Sequence, residues 1–187
     1  MRIEATKKLF TVDEFSLMGQ TGIFTEDDRV ELVEGEIIEL GMIGERHAAA
    51  VDRPARLFMP LALENRTNIR VRNPMVLDKY NAPLPGITLL APRADFYVTH
   101  HPAGDEVLLA VEVADTTLRY DRNVKMPIYA KLGIRESWIE DIAGDVILVF
   151  RDPAPDGYKT CLTLHRGDSV SPLVFPGLVV HVDQLLG

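Results

Sequence analysis

Residues 107–115 read VLLAVEVAD, an almost unbroken apolar run of strand length. Its β-branched and aliphatic residues are typical of a central strand that is covered on both faces. Before the closing Asp115, the run is interrupted by a carboxylate, Glu112. An ionised carboxylate is costly to bury unless it is paired, hydrogen-bonded or bound to a metal. The run alone leaves two interpretations open: a functional site, or a strand-end glutamate that reaches solvent or meets an arginine.

A helix is predicted to follow this strand, from about Leu118 to Leu132, with Gly133 as its C-cap. Pro127 falls inside the segment and predicts a kink there or a later start of the helix. The predicted core stripe consists of Val124, Ile128 and Leu132.

The same helix carries a polar stripe beside its core stripe. The spacing i, i+4, i+8 joins Asp121, Lys125 and Tyr129. Spacing alone favours a helical Asp-to-Lys pair, which is worth a few tenths of a kcal/mol. The functional alternative is that Lys125 leans over the strand end that carries Glu112.

Length and composition indicate an ordinary globular protein. The chain has 187 residues, 47% of them apolar and 26% charged, which fits one domain over residues 1–187. No apolar run approaches the roughly 18 residues that a membrane span needs, so we expect no membrane partner. The N-terminal residues MRIEATKKLF lack the apolar segment of a secretory signal, and the single Cys161 fits a reducing compartment. We therefore expect a cytoplasmic location.

The net charge of −8 argues against a broad, non-specific grip on nucleic acid, because that affinity comes largely from Lys and Arg on phosphates. It does not exclude a nucleic-acid enzyme, since a metal site lined by carboxylates is itself acidic. Contact with DNA would need a local basic patch, although a solvated polar strand is the commoner interpretation of such residues. The candidates for this patch are Arg66, Arg70, Arg72 and Lys79.

Two patterns stand out near the N-terminus. Thr11 and Glu14 make a capping box at the start of a short helix. Residues 29–33 and 36–40 are predicted to form a hairpin around Glu34 and Gly35, with Gly35 supplying the positive φ that the turn needs.

Residues 45–64 have helical character, but Pro54 and Pro60 lie inside them. An interior proline costs about 3 kcal/mol or more and kinks or breaks a helix. We therefore predict two shorter helical pieces, or a helix restarted at Pro54.

The remaining strands are predicted from short apolar runs. We expect a strand over residues 87–91 to lie beside residues 107–114 in one mixed sheet. A hairpin over residues 136–142 and 145–151, followed by a strand over residues 158–164, extends the pattern. The sequence has no phosphate-binding glycine loop, no Cys/His spacing of a metal site and no Gly-x-Ser-x-Gly nucleophile.

Several blocks, taken in order, carry a resemblance over nearly the whole chain. They are residues 10–15 (FTVDEF), 31–36 (ELVEGE), 46–47 (RH), 71–74 (VRNP), 112–115 (EVAD), 121–125 (DRNVK), Tyr129, Gly133, Trp138 and residues 175–178 (FPGL). In these blocks the chain resembles the Uma-two (Uma2) family of restriction-endonuclease-like proteins, a branch of the PD-(D/E)XK nuclease superfamily.

The resemblance implies an α/β, restriction-endonuclease-like fold, with a mixed central β-sheet flanked by helices. It also implies a metal-dependent DNA endonuclease that hydrolyses phosphodiester bonds with one or two Mg²⁺ or Mn²⁺ ions. In that superfamily an early acid, an Asp after a Pro and a Glu on the next strand hold the metal, while a Lys positions or deprotonates the attacking water.

Carried over residue by residue, Glu31 matches the early acid and Glu112 the later one, so both are expected as metal ligands and catalytic residues. The usual Lys position holds Ala114, and Lys125 resembles that catalytic lysine moved to the following helix. The expected periphery of the site consists of His47, Gly86, Asp121 and Tyr129.

One position departs from the family pattern, because Pro85-Gly86 stands where the family has Pro-Asp. Glycine offers no side-chain ligand, so we expect weak metal binding and impaired cleavage. Asp78 and Asp95 are the nearest acids in sequence, but neither occupies the motif position. The alternative is a catalytically inactive nuclease-fold protein that acts as a DNA-binding or interaction module.

The resemblance also implies partners. DNA is the expected partner of an active site, and restriction-type nucleases often act as homodimers. The single Trp138 lies in a predicted hairpin whose outer face is a candidate dimer contact. A lone tryptophan is more often part of the core, and this second interpretation is favoured.

Overall fold

The computed structural model describes residues 6–25 and 27–187. Its strands are β1 (Val30–Val33), β2 (Glu36–Glu39), β3 (Asn68–Val71), β4 (Ile87–Leu90), β5 (Val107–Ala114), β6 (Glu136–Asp141), β7 (Val146–Ala154), β8 (Gly157–Leu164), β9 (Ser169–Val170) and β10 (Val180–His181). Its helical elements are α1 (Val12–Gln20), α2 (Glu45–Leu63), a 3₁₀ turn (Gly104–Glu106), α3 (Leu118–Tyr120), a π-helical segment (Asp121–Lys125), α4 (Met126–Lys131) and α5 (Val182–Leu186).

A six-stranded sheet in the order β3-β4-β5-β6-β7-β8 forms the centre of the fold. Strands β5 and β6 run parallel, whereas the other neighbouring pairs are antiparallel, so the sheet is mixed. Ile87 of β4 pairs with Val111 of β5, which confirms the predicted adjacency of these two strands. Two further antiparallel pairs, β1 with β2 and β9 with β10, lie outside this sheet.

Strand β5 is covered on both faces, as its apolar run predicts. Leu109, Val111 and Val113 belong to one buried cluster, together with residues of α2 and α5. Ala110 and Ala114 belong to a second cluster that includes residues of α4. Because side chains alternate along a strand, Glu112 lies on the α4 side of the sheet.

Helix α2 is continuous over Glu45–Leu63, so the prediction of two shorter pieces was wrong. Pro54 is buried and Pro60 exposed, and the helix runs through both. Burial of an apolar stripe against the sheet offsets the two hydrogen bonds that the prolines remove. The buried residues of the helix are Ala50, Val51, Pro54, Phe58 and Leu61.

The helical stretch after β5 begins at Leu118 and ends near Gly133, whose φ of 88° fits its predicted C-cap role. It is not a uniform α-helix, because residues Asp121–Lys125 form a π-helical segment. Pro127 lies inside this helical stretch, shortly after its departure from regular α-helix, so the irregularity coincides with the proline as predicted. The predicted core stripe is only partly buried, since Val124 and Leu132 are half-exposed while Ile128 is buried.

The other local predictions have clear outcomes. The capping box of Thr11 and Glu14 is present at α1. The β1–β2 hairpin turns at Glu34 and Gly35, which both have positive φ, 51° and 75°. Trp138 is fully buried, which confirms its core interpretation and removes it as a dimer contact.

Two predictions concern secretion and membrane insertion. The prediction that the N-terminal segment is not a secretory signal concerns, in part, residues 1–5, which lie outside the described residues. Within residues 6–25 and 27–187, no helix has the length and apolar character needed to cross a membrane.

Candidate active site

Three carboxylates converge on one lysine beside the end of β5. Lys125 Nζ lies 3.0 Å from Glu31 Oε2, 3.2 Å from Glu112 Oε1 and 3.8 Å from Asp121 Oδ1. All four side chains are buried, with 5% or less of each exposed. The predicted convergence of Glu31, Glu112 and Lys125 is therefore confirmed, and the Glu112–Lys125 distance falls within the expected range.

Glu31 reaches the cluster because the β1–β2 hairpin docks on the loop before β4. The backbone of Leu32 exchanges two hydrogen bonds with Ala82, at 3.3 and 2.8 Å. The N–H of Leu84, two residues further on, donates to Glu31 Oε2 at 2.9 Å. A glutamate on a small hairpin is thereby held in the interior rather than in solvent.

Asp121 and Lys125 reach the cluster from the first and last positions of the π-helical segment. In such a segment the backbone bonds join i to i+5 instead of i+4, which changes which side chains face inward. The Thr117 hydroxyl donates to Asp121 Oδ2 at 2.6 Å and fixes this carboxylate. The polar stripe of Asp121, Lys125 and Tyr129 is therefore more buried than the stripe of Val124, Ile128 and Leu132 that was predicted as core.

The buried charges of the cluster shift one another's ionisation. Burial raises the pKa of Glu112 to about 7, with Lys125 opposing the rise and Asp121 adding to it. Burial also raises the pKa of Asp121. Burial alone would lower the pKa of Lys125, but the surrounding carboxylates outweigh it and raise this pKa above its usual value. Lys125 is thus held as a cation, while Glu112 holds its proton more tightly than an exposed glutamate does.

Two tyrosines complete the surroundings of the cluster. The Tyr129 hydroxyl donates to Glu112 Oε1 at 2.5 Å, and Tyr129 is fully buried. Lys125 Nζ lies 5.9 Å from the centre of the Tyr120 ring. The Tyr120 hydroxyl oxygen is buried and has no hydrogen-bond partner among the described residues.

The cluster forms part of a cleft of about 180 Å³. Of the predicted site residues, the cleft wall includes Glu112, Lys125, Gly86, His47 and Asp121. Glu31 and Tyr129 are not part of the cleft wall. Glu31 contacts Lys125, and Tyr129 contacts Glu112.

Gly86 lies in the cleft wall but is tightly enclosed on one side. A Cβ atom at this position would lie 3.1 Å from the carbonyl oxygen of Val111 and 3.2 Å from Cγ2 of Val113. Asp78 and Asp95 do not take over the missing carboxylate. Asp78 accepts hydrogen bonds from Tyr80 and Asn81, and Asp95 pairs with Arg93.

Only one of the four basic residues proposed as a DNA patch lies in the cleft, and that is Arg72. Arg66 stacks over the ring of Phe175 at 5.1 Å, and Arg70 stacks over Tyr97 at 5.6 Å. Lys79 lies 5.3 Å from the centre of the Tyr80 ring. Arg66, Arg70 and Lys79 therefore do not line the cleft beside Arg72.

A family model described as Uma2, "Putative restriction endonuclease", matches residues 12–183. The chain belongs to the Uma2 family. A search of curated proteins found no match. This membership supports a nuclease-like function and confirms the family that the sequence blocks resemble.

A solved structure shares the fold of this Uma2 protein. The protein described as a "putative nuclease belonging to DUF820", from Anabaena variabilis, superposes with a TM-score of 0.72 and 16% sequence identity. The match covers 95% of this chain and 97% of the other. It confirms the α/β, restriction-endonuclease-like fold with a mixed sheet flanked by helices.

The donors of the cluster suit a hard divalent cation. Glu31, Glu112 and Asp121 surround a single ammonium group, so negative charge is in excess wherever all three are ionised. Glu31 Oε1 is buried without a hydrogen-bond partner among the described residues. Carboxylate oxygens are the ligands that Mg²⁺ and Mn²⁺ prefer. Over residues 6–25 and 27–187, however, no three Asp, Glu, His or Cys side chains are spaced as a ready cation cage.

The sequence placed Asp121 only at the periphery, whereas the structure puts it within the cluster. The i, i+4 spacing of Asp121 and Lys125 was the available signal, but it has the same form in an exposed helical pair. Tyr120 and Arg29, which both line the cleft, had no pattern that distinguished them in the sequence.

Proposed function

We propose that this Uma2 protein is a metal-dependent DNA endonuclease of the PD-(D/E)XK type, with cleavage impaired by Gly86. The observation that carries the proposal is the convergence of Glu31 and Glu112 on Lys125 in a cleft. Family membership supports the nuclease class, and the carboxylate set supports a hard cation as cofactor. DNA is the substrate that this class of activity requires.

Glu31 and Glu112, with Asp121 beside them, are the residues that would hold one or two Mg²⁺ or Mn²⁺ ions. When bound, such an ion polarises the phosphate and lowers the pKa of a water molecule. Lys125 contributes a compact positive charge beside the position where negative charge develops. Tyr129 holds Glu112 through its hydroxyl and so keeps the carboxylate in place for the cleft.

Two features support impaired cleavage. Gly86 supplies no ligand at the position where the family has a carboxylate, and affinity for hard cations follows ligand charge and number. Lys125 Nζ also lies among the carboxylates, so a cation must compete with an ammonium for the same oxygens. Weak binding of Mg²⁺ or Mn²⁺ is the expected result.

The proposal is tested by nicking of supercoiled plasmid DNA with Mg²⁺ and with Mn²⁺. The wild type should nick weakly or undetectably, and Gly86→Asp should nick more. Gly86→Ala is the matched control, because it adds the same Cβ without a carboxylate. Adding Glu112→Gln or Lys125→Met to Gly86→Asp should abolish the gain. Absence of both metal binding and cleavage in Gly86→Asp would contradict the proposal.

The second candidate is a nuclease-fold protein that has lost the chemistry and binds DNA or another partner. Gly86 and the absence, in the described residues, of a ready cation cage favour it. DNA binding by the wild type, without metal binding or nicking in any variant, would support this candidate over the enzyme.

A further inference from the structure

A second group of side chains lines the same cleft and plays no part in the carboxylate cluster. It consists of Arg29, His47 and Arg72, which we call the basic wall. The three residues come from different parts of the chain: Arg29 precedes β1, His47 lies in α2 and Arg72 follows β3. Tertiary structure alone brings them together.

Within the described part of the chain, neither guanidinium group of the basic wall is in a close ion pair, and Arg29 Nη1 donates to the carbonyl of Gly41. Asp115 lines the same cleft. Among residues 6–25 and 27–187, no carboxylate oxygen lies within the 4.0 Å that defines an ion pair for either Arg29 or Arg72. Arg72 Nε is buried and has no hydrogen-bond partner in the same residues. A buried, unpaired donor of this kind is costly and is ordinarily satisfied by a ligand, water or ion.

The backbone at Arg72 holds this side chain in place. Its φ is 51°, in the left-handed region that residues other than glycine rarely adopt. The Arg72 N–H donates to the carbonyl of Gly86 at 3.1 Å. Strained backbone of this kind is commonest at functional sites. The turn after β3 therefore presents an arginine directly beside the position where the family carboxylate is missing.

The basic wall also contains groups that repel one another. Burial, followed by the charges of Arg72 and Arg29, lowers the pKa of His47, while Asp115 opposes this effect. Burial and the charge of Arg29 likewise lower the pKa of Arg72, with Asp52 opposing. An anion bound between these groups would remove the repulsion.

We propose that Arg29, His47 and Arg72 form a phosphate-binding subsite that holds a backbone phosphodiester of DNA next to the carboxylate cluster. Arginine presents planar, paired donors that match phosphate oxygens. The excess negative charge of the carboxylate cluster disfavours a dianion, so a singly charged phosphodiester suits the cleft better than a free phosphate. This inference rests on the proposed nuclease-like function and names the residues that position its substrate.

The test is binding of a short fluorescent DNA duplex, measured by anisotropy in EDTA so that no metal-dependent cleavage occurs. Arg72→Gln and Arg29→Gln should each weaken binding about fivefold or more and lower the salt dependence by about one phosphate contact. Arg70→Gln is the matched control, because it makes the same charge change at the end of β3 but outside the cleft. Thermal unfolding of each variant establishes that it is folded.

Several outcomes separate this subsite from the proposed enzyme. Weaker binding by both cleft variants, with Arg70→Gln unchanged, supports the subsite whether or not plasmid DNA is ever nicked. Equal weakening by Arg72→Gln and Arg70→Gln, or no DNA binding by the wild type, overturns it. A parallel calorimetric titration with inorganic phosphate addresses the source of the anion. Binding of phosphate that depends on Arg72, without binding of DNA, would overturn the assignment of a nucleic-acid phosphodiester.

Discussion

Lys125 Nζ lies 3.0 Å from Glu31 Oε2, and this contact joins the π-helical segment to the first hairpin of the chain. Both side chains are buried, and the same ammonium also contacts Glu112 and Asp121. One lysine thus neutralises part of a charge that three separate carboxylates bring into the interior. The stability of the site depends on this arrangement, and any cation would have to compete with the ammonium for the same oxygens.

Replacing Lys125 by methionine should destabilise the protein by about 3 to 5 kcal/mol near pH 8, because three buried carboxylates lose the ammonium group that they share. The loss of stability should be smaller near pH 5, because protonation of Glu112 relieves the repulsion among the buried carboxylates. Chemical denaturation at both pH values measures the effect. Lys131→Met, at an exposed position of α4, is the control for loss of one positive charge. A loss below about 1 kcal/mol at pH 8 would show that the cluster does not need the lysine.

Gly86→Asp should bind Mn²⁺ more tightly than the wild type, on the order of tenfold, because it adds a charged oxygen ligand. The new Cβ must displace the Val111 carbonyl or the Val113 side chain by a few tenths of an ångström. Gly86→Ala carries the same steric cost and should show no gain. Isothermal titration calorimetry of the three proteins measures the affinities. Equal affinity of the Asp and Ala variants would exclude residue 86 as a ligand position.

Glu140 provides a pH-dependent stability that is separate from the site. Burial raises its pKa from 4.5 to about 7, with Arg53 opposing the rise. The folded state therefore holds this proton more tightly than the unfolded state. Stability falls as pH rises from about 4.5 to about 7, by roughly 3 kcal/mol at about 1.4 kcal/mol per unit of pKa.

Glu140→Gln removes this titration. Between pH 5 and pH 8, the free energy of unfolding of the variant should therefore rise relative to that of the wild type by up to about 3 kcal/mol. Urea denaturation at the two pH values gives the difference. Glu64→Gln, at an exposed position, should keep the same stability relative to the wild type throughout. If the stabilities of the wild type and Glu140→Gln change in parallel with pH, the pKa of Glu140 is not raised in the folded protein.

Pro60→Ala should stabilise the protein by about 1 to 3 kcal/mol, because Pro60 lies inside the continuous helix α2 at an exposed position. Alanine restores the N–H that can donate within the helix and removes the clash of the ring with the preceding turn. The measurement is the midpoint of thermal unfolding. Met59→Ala, at the exposed neighbouring position, should change stability little. Destabilisation by Pro60→Ala would show that the proline makes a favourable contribution that outweighs its cost to the helix.

Local sequence was sufficient for much of the sheet. The apolar run at residues 107–115 predicts a strand buried on both faces, and β5 occupies Val107–Ala114 near the middle of the sheet. The hairpin at Glu34 and Gly35 and the capping box at Thr11 were also predicted correctly, because their geometry depends on residues within a few positions. Helix α2 was predicted wrongly where local rules and packing disagree. The two prolines disfavour a helix, and burial against the sheet overrides them.

The sequence by itself also determined the family and, through it, the pairing of Glu31 and Glu112 with Lys125. Their meeting in one buried cluster depends on the docking of the hairpin and on the π-helical segment, and these are tertiary properties. The spacing of Asp121 and Lys125 is the same in an exposed ion pair and in a buried site, so only the fold could distinguish them. Arg29, His47 and Arg72 come together for the same reason. They are far apart in the chain, and no periodicity connects side chains that only the packing of separate elements brings to one cleft.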